Sequence, residues 1–327
     1  MHGGLLWLAI GCAPAEPPPA VVAVSPVAVA APTPPPAPVV VAVPVPGRLV
    51  AVGDVHGDPS ALRAVLRISG VTDAADHWSG GNAVLVQTGD TTDRGPDSRG
   101  VLALLRALGP EAAAAGGRVV PLLGNHETMN LLGDWRYVSE GDLAGYGGAA
   151  GRESGFGPNG EDGRWLRTLD AAARVGEDVF CHGGIRPEFA ALGVDGINRR
   201  VKAALAEADA MRGPAGVDGR LPPIKPEDPV LGPEGPLWFR GYVQLPESEA
   251  CPMLAEALQK LGARRMIVGH TTRDDGRVQA RCGGALVVVD TGISEHYGSH
   301  HAAFEWEAGD GRAVYPTGRV DLPDPPG

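Results

Sequence analysis

The sequence predicts an α/β fold with its polar side chains gathered at one edge of a sheet, and two observations carry that prediction. Short apolar runs at residues 49–52, 83–87 and 119–123 are each followed by a polar, Gly-bearing loop and then by helix signals. Each loop also places Asp, His or Asn just after the run. Three successive strand–loop–helix units therefore present such groups at the strands' C-terminal ends, where open α/β sheets bind their ligands.

In the first unit, Leu49-Val50-Ala51-Val52 reads as a buried strand that turns into Gly53-Asp54-Val55-His56-Gly57-Asp58. Gly53 and Gly57 let the backbone bend tightly around the loop. Asp58 then reads as a helix cap and Pro59 as a first-turn residue, with Leu62, Val65 and Leu66 on one face of a helix over 59–68. The second unit has a strand at 83–87, the loop Thr88-Gly89-Asp90-Thr91-Thr92-Asp93-Arg94-Gly95 and a helix over 96–108. The third has a strand at 119–123, the loop Gly124-Asn125-His126-Glu127 and a helix starting at 128–132. Residues 139–163 are Gly-rich and lack apolar periodicity, so they read as a long loop, either a substrate-facing lid or a floppy insert. A helix is expected over 165–175, a strand over 178–181 running into His182-Gly183-Gly184, and a helix over 197–211. A Pro- and Gly-rich connector (212–236) leads to Leu237-Trp238-Phe239-Arg240-Gly241. The strand 266–268 ends in Gly269-His270-Thr271, and 285–289 with 302–306 read as the antiparallel part of a second sheet.

Of the 327 residues 43% are apolar, enough for one large core or two ordinary ones. The formal net charge is -11 and Lys202, Lys225 and Lys260 are the only lysines, which excludes a basic field for nucleic acid. Residues 5–10 form a short apolar run ending at Gly11-Cys12, similar to a bacterial lipoprotein signal in which Cys12 carries the lipid anchor. No Lys or Arg precedes the run, and the other reading is a disordered tail. Residues 13–46, rich in Pro, Ala and Val, read as a disordered, polyproline-like spacer. The chain thus divides into a signal (1–12), a linker (13–46) and a folded domain (47–327). It is placed in the cell envelope, as a periplasmic or outer-membrane lipoprotein, with the cytoplasm as the alternative. Cys181 reads as a small buried thiol. Cys251 and Cys282 either pair in an oxidising compartment or remain lone thiols.

Asp54, His56, Asp90, Asn125, His182 and His270 each sit beside a Gly or one residue from it. Six such groups at corresponding places suit a two-metal site. Asp90 bridges, Asp54 and His56 complete one ion, and Asn125, His182 and His270 complete the other. Ions roughly 3.5–4 Å apart hold a hydroxide between them and clamp a phosphate for in-line attack. Mixed oxygen and nitrogen donors favour manganese, iron or zinc over calcium or magnesium. Arg94 and Arg240 suit the non-bridging phosphate oxygens. His126, oriented and kept protonated by Asp93, suits the leaving-group proton.

In order, Gly53-Asp54-Val55-His56-Gly57, Gly89-Asp90-Thr91-Thr92-Asp93-Arg94-Gly95, Gly124-Asn125-His126-Glu127, His182-Gly183-Gly184 and Gly269-His270-Thr271 resemble the signature set of the calcineurin-like metallophosphatases, in the phosphoprotein phosphatase branch. The runs Leu123-Gly124-Asn125-His126-Glu127-Thr128-Met129-Asn130 and Pro236-Leu237-Trp238-Phe239-Arg240-Gly241 are similar to the Shewanella-like group of bacteria and plants. The resemblance covers residues 47–310. It implies a four-layer α/β/β/α sandwich and two divalent metal ions per chain on the six ligands. It also implies His126 with Asp93 as acid pair, Arg94 and Arg240 on phosphate, and Tyr297 lining the pocket. Thr91 departs from the pattern at a non-ligand position. His300 and His301 lie outside it and read as surface histidines. The expected activity is that of a metal-dependent phosphomonoesterase acting on phosphoprotein (Ser/Thr or Tyr) or a small phosphoester. A dinucleoside polyphosphate hydrolase is the second reading, opposed by the scarcity of other basic residues near the motifs. A non-catalytic, envelope-anchored scaffold is the third, opposed by the complete ligand set.

Overall fold

The structure, a computed structural model, describes Met1, residues 47–213 and residues 222–325. Apart from Met1, the expected signal and linker lie outside the described residues. The three predicted units are present as β1 (Arg48–Val52), α1 (Pro59–Ile68), β2 (Val84–Gln87), α2 (Ser98–Ala114), β3 (Arg118–Pro121) and α3 (Asn125–Leu131). Asp58 caps α1 by accepting the Ala61 N–H at 2.9 Å, and Leu62, Val65 and Leu66 are buried as their spacing predicts.

Next come α4 (Glu140–Gly145), α5 (Ala149–Phe156), α6 (Glu161–Thr168), β4 (Ala172–Val175), β5 (Asp178–Cys181), α7 (Pro187–Ala190) and α8 (Gly193–Ala210). The chain then forms α9 (Gly241–Gln244), α10 (Glu247–Leu261), β6 (Arg265–Val268), β7 (Gln279–Arg281), β8 (Leu286–Val288), β9 (Ala303–Glu307), β10 (Asp310–Tyr315) and β11 (Gly318–Asp321). One six-stranded sheet has the order β11-β10-β9-β1-β2-β3, and a five-stranded sheet has the order β4-β5-β6-β8-β7.

Strand alternation creates the layers. Leu49, Ala51, Val84 and Val86 face inward onto Phe180, Ile267, Val287 and Val289 of the other sheet. Val50, Val52 and Leu85 face outward onto Leu62, Val65, Val101 and Leu105 of α1 and α2. Val179, Met266, Val268 and Val288 face the other way onto Ile197, Val201, Leu205, Leu254 and Leu258 of α8 and α10. Helices, sheet, sheet and helices therefore stack in four layers. Because β1, β2 and β3 are parallel, as are β5, β6 and β8, their C-terminal ends share one edge.

Three expectations need correction. Residues 139–163 are not a loop: they hold α4, α5 and the start of α6. Apolar periodicity misses these helices because their inward side is polar, with Asp142, Arg152 and Asp162 buried beside Phe156 and Leu166. Residues 165–175 are not one helix, since α6 ends at Thr168 and 172–175 form β4, antiparallel to β5. The segments 285–289 and 302–306 join different sheets: β8 lies parallel to β6, while β9 pairs antiparallel to β1. The open question of the cysteines is answered by a disulfide between Cys251 and Cys282, with Cα atoms 5.4 Å apart, and Cys181 is a buried free thiol.

The disulfide spans a sequence separation of 31 residues. Reduction, or Cys282→Ser, is expected to lower the unfolding free energy by about 3–4 kcal/mol. Urea unfolding with and without reductant reads this directly, and an unmoved midpoint would mean that the bond is absent in solution.

Candidate metal centre

The loops after β1, β2, β3, β5 and β6 deliver the predicted side chains to one place, and Asp54, His56, Asp90, Asn125, His182 and His270 are all buried there. Gly57 makes the expected bend with φ +63°, but Gly53 has a different role. A Cβ on Gly53 would lie 2.3 Å from the Val289 carbonyl oxygen, so its glycine serves the close approach of the two sheets. The turn conformations are strained. His56, Asp90, Asp93, Arg94 and His270 have φ of 47°, 54°, 69°, 66° and 65°, in the left-handed region that non-glycine residues rarely enter.

Backbone carbonyls set the histidine tautomers. His56 Nδ1 donates to Thr92 O at 3.1 Å, His182 Nδ1 to Thr88 O at 2.9 Å, and His270 Nε2 to Trp238 O at 2.9 Å. A carbonyl only accepts, so those nitrogens carry hydrogen and the opposite ring nitrogens turn lone pairs inward. His182 Nε2 lies 3.0 Å from Asn125 Oδ1, 3.1 Å from Asp90 Oδ2 and 3.0 Å from His270 Nδ1. With the rings neutral, four acceptor atoms thus face one another, an arrangement that a cation satisfies. On the other side of Asp90, His56 Nε2 is 3.8 Å from Asp90 Oδ2 and 3.9 Å from Asp54 Oδ2.

The electrostatics agree with a cationic centre. Burial, then the charges of Asp290 and Asp90, push the Asp54 carboxyl well above its usual range, a crowding of negative charge that metal ions offset. Burial lowers His56 to about 4 and holds His270 well below its ordinary value, so both stay neutral donors. His126 behaves oppositely. Burial works against its charge, but Asp90 and Asp93 outweigh it and raise its pKa. Its Nδ1 lies 2.7 Å from Asp93 Oδ2. Asp90 belongs to two donor groups, one with His56 and His126 and one with His182 and His270, and this mix of oxygen and nitrogen fits two divalent ions.

Arg94 and Arg240 flank the centre and are half-buried. The Arg94 guanidinium stacks 3.9 Å from the centre of the Tyr137 ring, while Arg240 donates to the His270 carbonyl and to Thr271 Oγ1. Tyr297 tilts over His56 with ring centres 5.0 Å apart. His300 is exposed and His301 half-buried, and neither joins the donor groups.

Sequence reasoning assigns no role to Glu127, Asp290 or Tyr137. The Glu127 carboxylate accepts the backbone N–H groups of Asp90, Thr91, Thr92 and Gly124 and both Thr91 and Thr92 hydroxyls, at 2.7 to 3.2 Å. Thr91 thereby helps to hold its loop. Asp290 is buried after β8 and accepts from Thr272 Oγ1 at 2.7 Å. The strand-end rule that singles out the six candidate donors would have found it. Tyr137 packs on His126 as well as Arg94, with ring centres 5.1 Å apart, and no sequence signal marks it.

Residues 47–274 match the model of the calcineurin-like phosphoesterase family. The chain belongs to this family. Among relatives of this phosphoesterase, an uncharacterized protein of Schizosaccharomyces pombe is 36% identical over 272 residues, covering 81% of this chain and 79% of its own. Shewanella-like protein phosphatase 2 of Arabidopsis thaliana is 30% identical, covering 76% of this chain and 72% of its own. Among solved structures, the cold-active protein-tyrosine phosphatase of a psychrophilic Shewanella superposes with a TM-score of 0.72 at 28% identity, covering 86% of this chain and 81% of that one. The chain is a metallophosphatase, a hydrolase of phosphoric esters, with His and Asp side chains set for a dimetal site.

Glu127→Ala would leave four buried N–H groups without an acceptor. It is expected to destabilise the fold by about 3 kcal/mol or more and to reduce bound metal below that of the wild type. Chemical unfolding and elemental analysis of one preparation test this, and wild-type values for both would remove Glu127 from the account.

Proposed function

We propose that this metallophosphatase is a phosphomonoesterase acting on phosphorylated protein. The observation that carries the reading is the convergence of Asp90 Oδ2, Asn125 Oδ1, His182 Nε2 and His270 Nδ1, beside a histidine whose pKa is raised. In this reading Asp54, His56 and Asp90 hold one ion, and Asp90, Asn125, His182 and His270 hold the other. The identity is manganese, iron or zinc by donor type. When bound, two such ions supply Lewis acidity toward the phosphate and an acidified water for in-line attack.

The remaining steps belong to the chain's own residues. Arg94 and Arg240 bind the non-bridging oxygens, and the planar guanidinium suits two contacts on one phosphate. Tyr297 and Tyr137 wall the site beside His56 and His126 and exclude water. His126 Nε2 gives its proton to the leaving oxygen, and Asp93 keeps Nδ1 hydrogen-bonded throughout.

A protein-borne phosphate is supported by the phosphatase names of the relatives and by the shape of the surroundings. A groove of about 960 Å³ runs from Arg94 past Asp58, Asp97, Ser294, Glu295 and His296. It is open and acidic, which suits a polypeptide better than a second nucleotide phosphate. Residence in the cell envelope, anchored at Cys12, is part of the same proposal. The Cys251–Cys282 disulfide supports it, because such bonds form mainly in oxidising compartments.

The test is hydrolysis of an aryl phosphate, phosphoserine and phosphotyrosine peptides, and diadenosine tetraphosphate, run metal-free and with manganese, iron or zinc. Turnover of the monoesters, dependent on metal, is expected. Preference for the dinucleotide would support the nucleotide-hydrolase reading instead. Asp90→Asn is expected to lose both bound ions and hydrolysis, and a variant with normal turnover would overturn the ligand assignment.

A further inference from the structure

A second cluster of charge lies behind the acid pair, buried more deeply than the metal centre itself. Arg152, on α5, is 0% exposed, as is Asp93. Its Nη1 donates to Asp142 Oδ2 at 2.6 Å, and its Nη2 reaches Asn130 Oδ1 at 2.8 Å and Asp93 Oδ1 at 3.4 Å. Asn130 Nδ2 in turn donates to Asp93 Oδ1 at 2.9 Å. Because Arg152 can only donate, it fixes which side of the Asn130 amide meets Asp93. The ring of contacts closes through Ser98, which donates its backbone N–H and its hydroxyl to Asp142 at 2.9 and 2.7 Å and accepts the Asp93 N–H at 3.1 Å. Phe156, Tyr146 and Trp135 enclose the guanidinium, with ring centres 4.4, 5.1 and 6.0 Å away.

Asp93 has two oxygens with separate tasks. Oδ2 meets His126 Nδ1 at 2.7 Å, and Oδ1 is occupied by Asn130 and Arg152. The backbone of Asp93 is itself in the left-handed region, so its direction depends on outside contacts. An ion pair needed only to pack α4 against α5 would be replaceable by apolar side chains of similar size. This one instead ends on the oxygen opposite the acid. We propose that Arg152, carried by the helical segment 140–156, is a positioning residue for the leaving-group acid. It holds the Asp93 carboxylate so that His126 points its proton at the departing oxygen. The inference rests on the phosphomonoesterase reading and makes the helical insert part of the active site.

A poor leaving group such as a serine alkoxide needs that proton, whereas p-nitrophenolate departs without it. With the full-length, metal-loaded protein, Arg152→Met is expected to lower kcat on a phosphoserine peptide roughly 10–100-fold, and to leave kcat on p-nitrophenyl phosphate within about threefold of wild type. KM for the peptide should stay unchanged. In a His126→Asn background the same substitution should cost nothing further on the peptide. Ser98→Ala, which removes one hydroxyl from the ring, should show the same substrate-dependent loss at smaller size, and it carries the test if Arg152→Met does not fold. Equal losses on both substrates, an additional loss in the His126→Asn background, or no loss would overturn the proposal. A wild type that hydrolyses neither substrate would instead overturn the phosphatase reading, and this inference with it.

Discussion

The carboxylate of Glu127 ties two loops into one rigid edge. Its two oxygens take six hydrogen bonds from the loop after β2 and the loop after β3. Burial and the nearby Asp90 charge raise its pKa, and the hydrogen bonds from Thr91 and Gly124 offset only part of that rise. The rest of the centre is positioned from there. The Asp90 backbone is pinned through its N–H, its Oδ1 then accepts the His126 N–H at 2.9 Å, and its Oδ2 faces His182 Nε2 at 3.1 Å, His56 Nε2 at 3.8 Å and His126 Nε2 at 3.9 Å. Asp90 and His126 therefore share one support.

Such a support is required because the site is costly without its ions. Five of its residues hold left-handed backbone, several carboxylates crowd together, and the inward nitrogens confront other acceptors. Each feature is unfavourable alone, of order 1–3 kcal/mol for each strained residue. Together they form a cage that is satisfied by positive charge. The four-layer sandwich supplies the rigidity through the buried apolar cluster between its two sheets.

The donors are legible in the sequence because each follows a strand in a loop of fixed, Gly-marked form, and parallel strands bring such loops together by topology. Asp290 follows β8 in the same manner and escapes only because 285–289 is read as belonging to an antiparallel edge. The helices of residues 140–168 are a different case. Their inward residues are Asp142, Arg152 and Asp162, which a pattern of apolar spacing scores as surface. Their burial is made possible by partners from α2, α3 and the β2 loop, which only the tertiary structure reveals. Tyr137 and Arg94 likewise meet through folding rather than through spacing.

The central claim is that six side chains build two cation sites that share Asp90, with His126 outside both. Anomalous diffraction from crystals of the manganese-loaded protein tests it most directly. Two adjacent peaks astride the Asp90 carboxylate are expected, one held by Asp54 and His56 and the other by Asn125, His182 and His270, with His126 Nε2 free to face substrate. A single peak, or a peak ligated by His126, would contradict it.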